Sequence, residues 1–273
     1  MPDAPPVNRE AILHALVAAL EPLPFVDAMW EGGAAAFDRL DEWSDIDLYV
    51  VSADDKVEET LRAVEAALGA LSPIRRKYEP AWPAESGIAQ AFYRLEDASD
   101  YLLVDLAVLK RSAPDKFLEP ELHGRAIFSF NRGDEVKLPP LDVDGFVRKV
   151  LERRDRLALR MALFGPFVSK ELHRHNWLGA LDAYQRIVLD SLVQVLRMRH
   201  YPAHYSFSVR YVYFELPAEV VRRLEGLSFV RSPGELPEMC RKATEWFREE
   251  MPSVTEDLIR GRMQGTETGP LPP

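Results

Sequence analysis

Residues 30–51 read WEGGAAAFDRLDEWSDIDLYVV, and this stretch decides the fold. It places the diglycine Gly32-Gly33 after a short apolar run, and after eleven intervening residues it places Asp45 and Asp47 in alternation with apolar residues. Because side chains on a strand alternate between its two faces, a strand here directs both aspartates to one side. Two ionised carboxylates in one small volume repel each other, and a divalent cation such as Mg²⁺ removes that repulsion. The pattern therefore predicts a metal site.

A third aspartate supports the same interpretation. Asp105 is the one charged residue in the apolar run YLLVDLAVL, residues 101–109. An ionised aspartate in a mostly buried strand costs several kcal/mol unless it is paired or ligates a metal. Three aspartates on two strands suit a pair of Mg²⁺ ions, the arrangement that clamps in-line displacement at phosphorus. The diglycine then suits the phosphate end of the site, where backbone N–H groups approach an anion at the start of a helix.

The flanking sequence predicts a small domain of mixed helices and strands. Apolar residues at helical spacing predict a first helix over 8–20, with Asn8 as its N-cap. Alternation and turn residues predict strands over 25–30, 44–51, 73–79, 88–96 and 101–110, and helical spacing predicts helices over 34–40 and 55–71.

From residue 142 onward, strand signals nearly vanish and the spacing predicts a helical bundle. The predicted helices cover 144–164, 170–200, 217–227 and 233–251. Pro139 and Pro140 interrupt the chain and mark a domain boundary. We therefore predict an α+β fold class, with a mixed-sheet domain, a helical domain and a disordered tail that has too few apolar residues to pack. The predicted boundaries are 1–138, 139–258 and 259–273.

Composition and charge limit the classes of partner. The net charge of −10 and the pI near 5.2 argue against general nucleic-acid binding, which needs clustered Lys and Arg. Cys240 is the only cysteine, which excludes an internal disulfide and a thiolate metal site. The N-terminus lacks the basic start and apolar run of a signal peptide, and no window reaches the roughly 20 apolar residues of a membrane span. We expect a cytoplasmic protein without membrane attachment.

The ordered set of motifs resembles the DNA polymerase β-like nucleotidyltransferase superfamily. The set consists of Gly32-Gly33, the sequence Asp45-Ile46-Asp47-Leu48 and the later triplet Val104-Asp105-Leu106. A small motif-bearing domain followed by a helical bundle is similar to the bacterial antibiotic nucleotidyltransferases that modify aminoglycosides or lincosamides. The motifs lie within residues 25–110. The second half of the chain is similar to these enzymes only in being predicted as a helical bundle.

This resemblance implies an enzyme that moves a nucleoside monophosphate, AMP from ATP or its equivalent from another nucleoside triphosphate, to a hydroxyl of a small molecule. It implies that Asp45 and Asp47 ligate both of two Mg²⁺ ions. It also implies that Asp105 ligates the ion that lowers the pKa of the attacking hydroxyl. The acidic composition favours a cationic acceptor such as an aminoglycoside. The candidate nucleotide-binding residues are Gly32, Gly33, Ser44 and Lys149.

Several of these residues also have simpler interpretations. Gly32-Gly33 suits a plain tight turn, and Lys149 belongs to a basic stripe that also suits the solvated face of a helix. Glu31 stands where the family usually has an apolar residue, and Gly33 stands where serine is frequent. The tryptophans are more typical of core residues than of base-stacking surfaces, and those considered are Trp30, Trp43, Trp82 and Trp177.

Other functions are compatible with the same motifs. A protein- or RNA-modifying nucleotidyltransferase of toxin–antitoxin type is one, and a non-catalytic nucleotide-binding regulatory module is another. Residues 199–204, RHYPAH, resemble the short Arg-His motif of HEPN ribonucleases, and they equally suit an ordinary helix end. Glu171 and Asp182 are candidates for a general base supplied by the second domain, as in the antibiotic-modifying relatives.

Overall fold

The computed structural model describes residues 7–264. The chain divides into two compact units, Met1–Pro140 and Leu141–Pro273. The first unit is built on a mixed six-stranded sheet, whereas the described part of the second contains helices and no strand. The predicted α+β fold class is therefore confirmed. Between residues 7 and 264, no helix combines the length and the apolar character that a membrane span needs.

The first unit mixes short helices with strands. Asn8 caps the first helix as predicted, because its side chain accepts the Ala11 N–H at 2.9 Å. The helices are α1 (Arg9–Leu20), α2 (Gly33–Ala36), α3 (Val57–Leu71) and α4 (Pro120–His123). The strands are β1 (Val26–Glu31), β2 (Ile46–Ser52), β3 (Ile74–Tyr78), β4 (Ile88–Leu95), β5 (Val104–Lys110) and β6 (Ile127–Asn131). The sequence analysis missed β6, which is a short, partly exposed strand at the sheet edge.

All six strands form one sheet in the order β3-β4-β5-β2-β1-β6. β2 and β5 are parallel neighbours at its centre, and the other neighbouring pairs are antiparallel. The parallel pair keeps unbroken register from Ile46 opposite Val104 to Ser52 opposite Lys110. Both central strands are rich in Val, Ile and Leu, as expected for strands that are covered on both faces.

Each face of the sheet carries an apolar core. One face packs against α1 and α3, and Leu106 is among its fully buried residues. The opposite face has a smaller core around Trp30 and Leu109, which is completed by residues that follow β5. Tyr49 packs against this smaller core, so side-chain alternation along β2 places Asp47 on the same face. This face therefore carries the Asp47 side chain.

The described part of the second unit is helical outside its loops. The helix predicted over 144–164 is confirmed by α5 (Val143–Phe164). The helices that follow are α6 (Phe167–His173), α7 (Trp177–Ala183), α8 (Asp190–His200), α9 (Val212–Glu215), α10 (Ala218–Ser228), α11 (Leu236–Glu250) and α12 (Glu256–Gln264). A π-helical segment, Tyr184–Leu189, joins α7 to α8.

The single helix predicted over 170–200 is wrong, because the chain breaks between α6 and α7. His175 adopts a left-handed backbone conformation with φ of 57°. Asn176 then caps α7, since its side chain accepts the Gly179 N–H at 3.2 Å. Residues 173–176, HRHN, contain neither glycine nor proline, so the sequence carries no ordinary helix-breaking residue at this point.

The disordered tail predicted over 259–273 is wrong for its first residues. Residues up to Gln264 belong to α12, and Ile259 and Met263 are buried. Two apolar residues at helical spacing are enough to hold this short helix once a partner surface exists. The rest of the predicted tail, 265–273, lies outside the described residues.

A buried ion pair holds the segment that follows α8. Arg197 Nη1 lies 2.6 Å from Glu215 Oε2, and both side chains are almost completely inaccessible. Arg197 Nε donates to the Ser208 carbonyl at 2.6 Å, and His204 Nδ1 lies 2.8 Å from the second carboxylate oxygen of Glu215. Buried charges are stable only when they are paired and hydrogen-bonded. The network therefore ties residues 201–216 to α8.

We expect Glu215→Gln to lower the free energy of unfolding by about 3–5 kcal/mol, because it leaves the Arg197 guanidinium buried without a counter-charge. Urea denaturation followed by circular dichroism measures the change. The matched control is Asp182→Asn, which removes a carboxylate from an exposed pair with Arg186 and costs less than about 1 kcal/mol. Equal effects of the two substitutions would contradict the assignment of a stabilising role to the buried pair.

Candidate functional site

Two carboxylates lie side by side at the centre of the sheet. Asp47 and Asp105 are register partners in the parallel pair of β2 and β5. Neighbouring strands are about 4.8 Å apart, so the two side chains leave the same face at adjacent positions. Both residues are half-buried, while Leu48 and Leu106, which follow them, are buried on the opposite face. The structure thus brings together two of the three predicted aspartates.

Asp45 lies one residue before β2 rather than on it. The strand begins at Ile46, whose N–H donates to the Leu103 carbonyl at 2.8 Å. Asp45 is half-buried, and its backbone carbonyl accepts a hydrogen bond from Arg9 Nη1 at 2.7 Å. Asp45 is therefore next to the carboxylate pair along the chain without being a register partner of either member.

The diglycine turn is packed directly against Asp47. The backbone of Gly33 has φ of 56°, and an ideal Cβ at this position would lie 1.7 Å from Asp47 Oδ2. The N–H of Gly32 donates to the Asp47 carbonyl at 2.9 Å. Residue 33 must therefore be glycine both for its left-handed backbone and for the space beside the carboxylate. The family's frequent serine at this position would displace Asp47.

A row of aromatic rings supports this turn. Trp30 and Tyr49 are stacked with ring centroids 5.4 Å apart, and Phe128 and Phe117 extend the row at 5.6 and 5.7 Å. A Cβ at Gly32 would lie 2.8 Å from the Tyr49 ring, so the first glycine rests on it. The interpretation of Trp30 as a core residue is confirmed by its 1% exposure. The same interpretation is wrong for three exposed tryptophans, which are Trp43, Trp82 and Trp177.

Glu31 does not add a further carboxylate beside Asp47. It is opposite Leu48 in the antiparallel pairing of β1 with β2, and opposite residues share a face, so its side chain lies on the α1 side of the sheet. Glu31 Oε2 lies 2.7 Å from Arg9 Nη2, and the glutamate is only 6% exposed. Arg9 therefore neutralises Glu31 and also holds the backbone at Asp45.

Two residues beside the carboxylate pair were not predicted as site residues: Gln90 contacts Asp105, and Trp82 contacts Gln90. Gln90 Nε2 donates to Asp105 Oδ1 at 2.6 Å, and Trp82 Nε1 donates to Gln90 Oε1 at 3.1 Å. Gln90 is one polar position in the strand IAQAFYRL, and such a residue is ordinary on a half-exposed strand. The role of Gln90 becomes visible only through the pairing of β4 with β5, which is a non-local contact.

The donor set suits Mg²⁺ bound together with a phosphate-bearing ligand. Across residues 7–264, no three His, Cys, Asp or Glu side chains are grouped closely enough to form a metal site by themselves. Mg²⁺ is usually held by one or two carboxylates, with water and substrate phosphates completing its coordination. Asp47 and Asp105 match this need, and the glycine at residue 33 places backbone rather than a side chain against Asp47. The metal-ligand roles of Asp45, Asp47 and Asp105 stay predictions.

The two other candidate nucleotide-binding residues lie in different units. The Ser44 hydroxyl donates to Asp41 Oδ1 at 2.7 Å and accepts the Asp41 N–H at 2.9 Å, so it closes a turn before β2. Lys149 is an exposed residue of α5 in the second unit. Neither observation tests nucleotide binding, and both roles stay predictions.

The candidate general bases have structural partners of their own. Glu171 accepts hydrogen bonds from Asn176 Nδ2 at 2.8 Å and from Arg174 Nη1 at 3.0 Å. The Asn176 amide and the Arg174 guanidinium hold the pKa of Glu171 below its ordinary value, which weakens it as a base. Asp182 forms an exposed ion pair with Arg186 at 2.6 Å. Neither residue therefore has the environment of a tuned base.

The RHYPAH segment does not present a reactive Arg-His pair. Arg199 forms an ion pair with Glu250. His204 is completely inaccessible and is hydrogen-bonded to Glu215. A ribonuclease needs groups that reach a phosphodiester, so this geometry gives the ribonuclease interpretation no support.

Two cavities of the molecule lie away from the carboxylate pair. A cavity of about 600 Å³ in the first unit lies near Val51 at the far end of β2, and it is lined by Asp27 and Arg111 among others. These two residues form a two-contact ion pair at 2.6 and 2.7 Å. A cavity of about 300 Å³ in the second unit is lined by residues that include Cys240. Asp47 and Asp105 line neither of these two cavities.

The comparison with solved structures gives a distant likeness. No protein-family model and no curated protein matches the chain. Among solved structures, a match is found to the crystal structure of spectinomycin adenyltransferase AAD(9) from Enterococcus faecialis with ATP and spectinomycin. The match covers 94% of this chain and 100% of that chain, with 11% sequence identity and a TM-score of 0.36. A likeness of this size establishes no shared activity.

We expect Gly33→Ala to lower the free energy of unfolding by about 1–3 kcal/mol, because the methyl group meets the Asp47 carboxylate and the backbone is left-handed. Gly69→Ala is the matched control. Gly69 lies inside α3 with nothing within 4 Å of an added Cβ, so the same change there stabilises the helix by about 0.5–1 kcal/mol. Urea denaturation measures both changes. A neutral Gly33→Ala would show that the turn moves away from Asp47 without cost.

Proposed function

We propose that the protein is a Mg²⁺-dependent nucleotidyltransferase that transfers AMP from ATP to a hydroxyl group of a small molecule. The observation that carries the proposal is the adjacent placement of Asp47 and Asp105 on one sheet face, with Gly33 against Asp47. Two strand-held carboxylates beside a glycine turn suit a divalent cation and a triphosphate. This combination serves in-line displacement at phosphorus.

Each residue has a separate task in the proposed reaction. Asp47 and Asp105 hold the metal, with Asp45 beside them. Bound Mg²⁺ supplies neutralisation of the triphosphate charge and lowers the pKa of the attacking hydroxyl. Gly32 and Gly33 carry no Cβ of their own, and their backbone is assigned to the triphosphate. The family resemblance implies that Asp105 ligates the ion that lowers the pKa of the attacking hydroxyl.

Two rival functions share the same carboxylates. A protein- or RNA-modifying nucleotidyltransferase of toxin–antitoxin type needs the same reaction with a macromolecular acceptor. The separate, large helical unit argues against this rival, whose representatives are minimal nucleotidyltransferases. A non-catalytic nucleotide-binding module would not need all three aspartates, and a decayed site usually loses one. The small-molecule transferase is therefore the preferred proposal.

Incubation with α-labelled ATP and Mg²⁺ tests the proposal and separates it from its rivals. The acceptor pools are hydroxylated antibiotics that include aminoglycosides, tRNA, and cell protein. We expect label on a small molecule in the first pool, released pyrophosphate, and no transfer when the metal is removed with a chelator. Label on tRNA or protein alone would support the toxin–antitoxin rival. Absence of label, together with unchanged ATP·Mg²⁺ binding by Asp47→Ala, would reject the enzyme.

We expect Asp105→Asn to lower kcat by at least about 100-fold, because it removes a metal ligand worth several kcal/mol in the transition state. The dissociation constant for ATP·Mg²⁺ should change less than about fivefold, since Asp47 still holds the nucleotide-bound metal. Steady-state kinetics and calorimetry with a non-hydrolysable ATP analogue measure the two effects. Asp100→Asn is the control, because Asp100 is exposed and pairs with Arg75. Loss of ATP binding without loss of kcat would mean that Asp105 serves the nucleotide instead.

A further inference from the structure

We propose that Gln90 is a positioning residue for Asp105 and that Trp82 holds Gln90 in this role. The inference rests on the proposed function, because it assigns a purpose to the orientation of the Asp105 carboxylate. It is carried by two hydrogen bonds in series, from Trp82 Nε1 to Gln90 Oε1 at 3.1 Å and from Gln90 Nε2 to Asp105 Oδ1 at 2.6 Å. We call these three residues the relay.

The chemistry of the donors fixes the direction of the relay. The indole N–H of Trp82 can only donate, so the group that it meets on Gln90 must be the amide oxygen. The NH₂ group of Gln90 is then directed toward Asp105, where it can only donate to the carboxylate. A flipped amide would place a donor against a donor at Trp82 and an acceptor against an acceptor at Asp105. Trp82 therefore selects one amide orientation.

The backbone makes this hydrogen bond a stiff constraint. Gln90 and Asp105 lie on the adjacent antiparallel strands β4 and β5, where Gln90 is opposite Ala107 and Asp105 is opposite Phe92. Hydrogen bonds to an ionised acceptor are short and strong, and 2.6 Å is at the short end of that range. One oxygen of Asp105 is thereby held toward β4, which fixes the plane of its carboxylate. Asp47 repels that carboxylate from the other side.

The expected effects on stability and on the site distinguish a positioning role of Gln90 from a purely structural role. Gln90 is half-buried and Trp82 is 43% exposed, so each hydrogen bond contributes only about 0.5–1.5 kcal/mol to the folded state. Outer-shell groups that orient a metal ligand usually change metal affinity or activity by about 10–100-fold. Breaking the relay should therefore have a large effect on the site and a small effect on stability.

Gln90→Leu and Trp82→Phe test the relay at its two hydrogen bonds. The first removes the donor to Asp105 at nearly constant volume, and the second keeps an aromatic ring while it removes the indole N–H. We expect Gln90→Leu to lower kcat by about 10–100-fold with a KM for ATP within about threefold of the parent. Trp82→Phe should act in the same direction and more weakly, because Gln90 keeps its amide. Thermal midpoints should stay close to that of the parent protein.

A metal titration gives a readout that does not depend on turnover. Binding of Mn²⁺ in the presence of a non-hydrolysable ATP analogue is followed by electron paramagnetic resonance of the free ion. We expect Gln90→Leu to weaken Mn²⁺ binding by about tenfold. The matched controls are Gln185→Leu and Trp177→Phe, which make the same chemical changes at an exposed glutamine and at a tryptophan of 42% exposure in the second unit.

The outcomes separate failure of the relay from failure of the proposed function. Parental kcat and Mn²⁺ affinity in Gln90→Leu would overturn the relay and leave the enzyme proposal intact. If the parent protein transfers no label while Gln90→Leu still weakens Mn²⁺ binding, the enzyme proposal fails and the relay stands. If Gln90→Leu does not fold, Trp82→Phe decides the question, because its site is half-exposed and its ring is retained. Effects of equal size in the control variants would overturn the relay.

Discussion

The register of β2 on β5 places two like charges next to each other, and the rest of the candidate site follows from this constraint. Two unit charges about 5 Å apart repel by about 3 kcal/mol at an effective dielectric constant of about 20. The apolar residues of both strands hold the register against this cost, because a slip of one residue would turn a carboxylate into the core beneath α1 and α3. The hydrophobic core therefore holds the two carboxylates next to each other, and under the proposed function a bound cation would relieve their repulsion.

The groups around the Asp47 and Asp105 carboxylates differ in charge and in the face of the sheet on which they lie. Arg9, the nearby cation of α1, is directed to Glu31 on the opposite face of the sheet. The turn at Gly33 brings backbone rather than a side chain to Asp47. Gln90 brings a neutral donor to Asp105. The described contacts thus include groups that orient the carboxylates, namely the turn backbone at Asp47 and the Gln90 amide at Asp105.

The parts that the sequence predicts correctly are those whose signal is local. α1, α5 and the central strands are each visible as apolar spacing within one segment. Asp47 and Asp105 could be grouped as candidate site residues because each interrupts an apolar run. The missed features depend on contacts between distant segments or on single backbone angles. Gln90 reaches Asp105 only because β4 pairs with β5. The break before α7 depends on the left-handed conformation of His175, and α12 depends on a surface that its own residues do not encode.

The parallel pairing of the two central strands also has a consequence for folding. α3, β3 and β4 all lie between β2 and β5 in the chain, so the two aspartates meet only after a long loop has closed. Non-local parallel pairing is slow, because the entropy of loop closure is lost before the contacts form. A partly folded chain in which β1 and β2 have already paired would hold Asp47 without Asp105. The two aspartates are therefore brought together late, when the sheet of the first unit is complete.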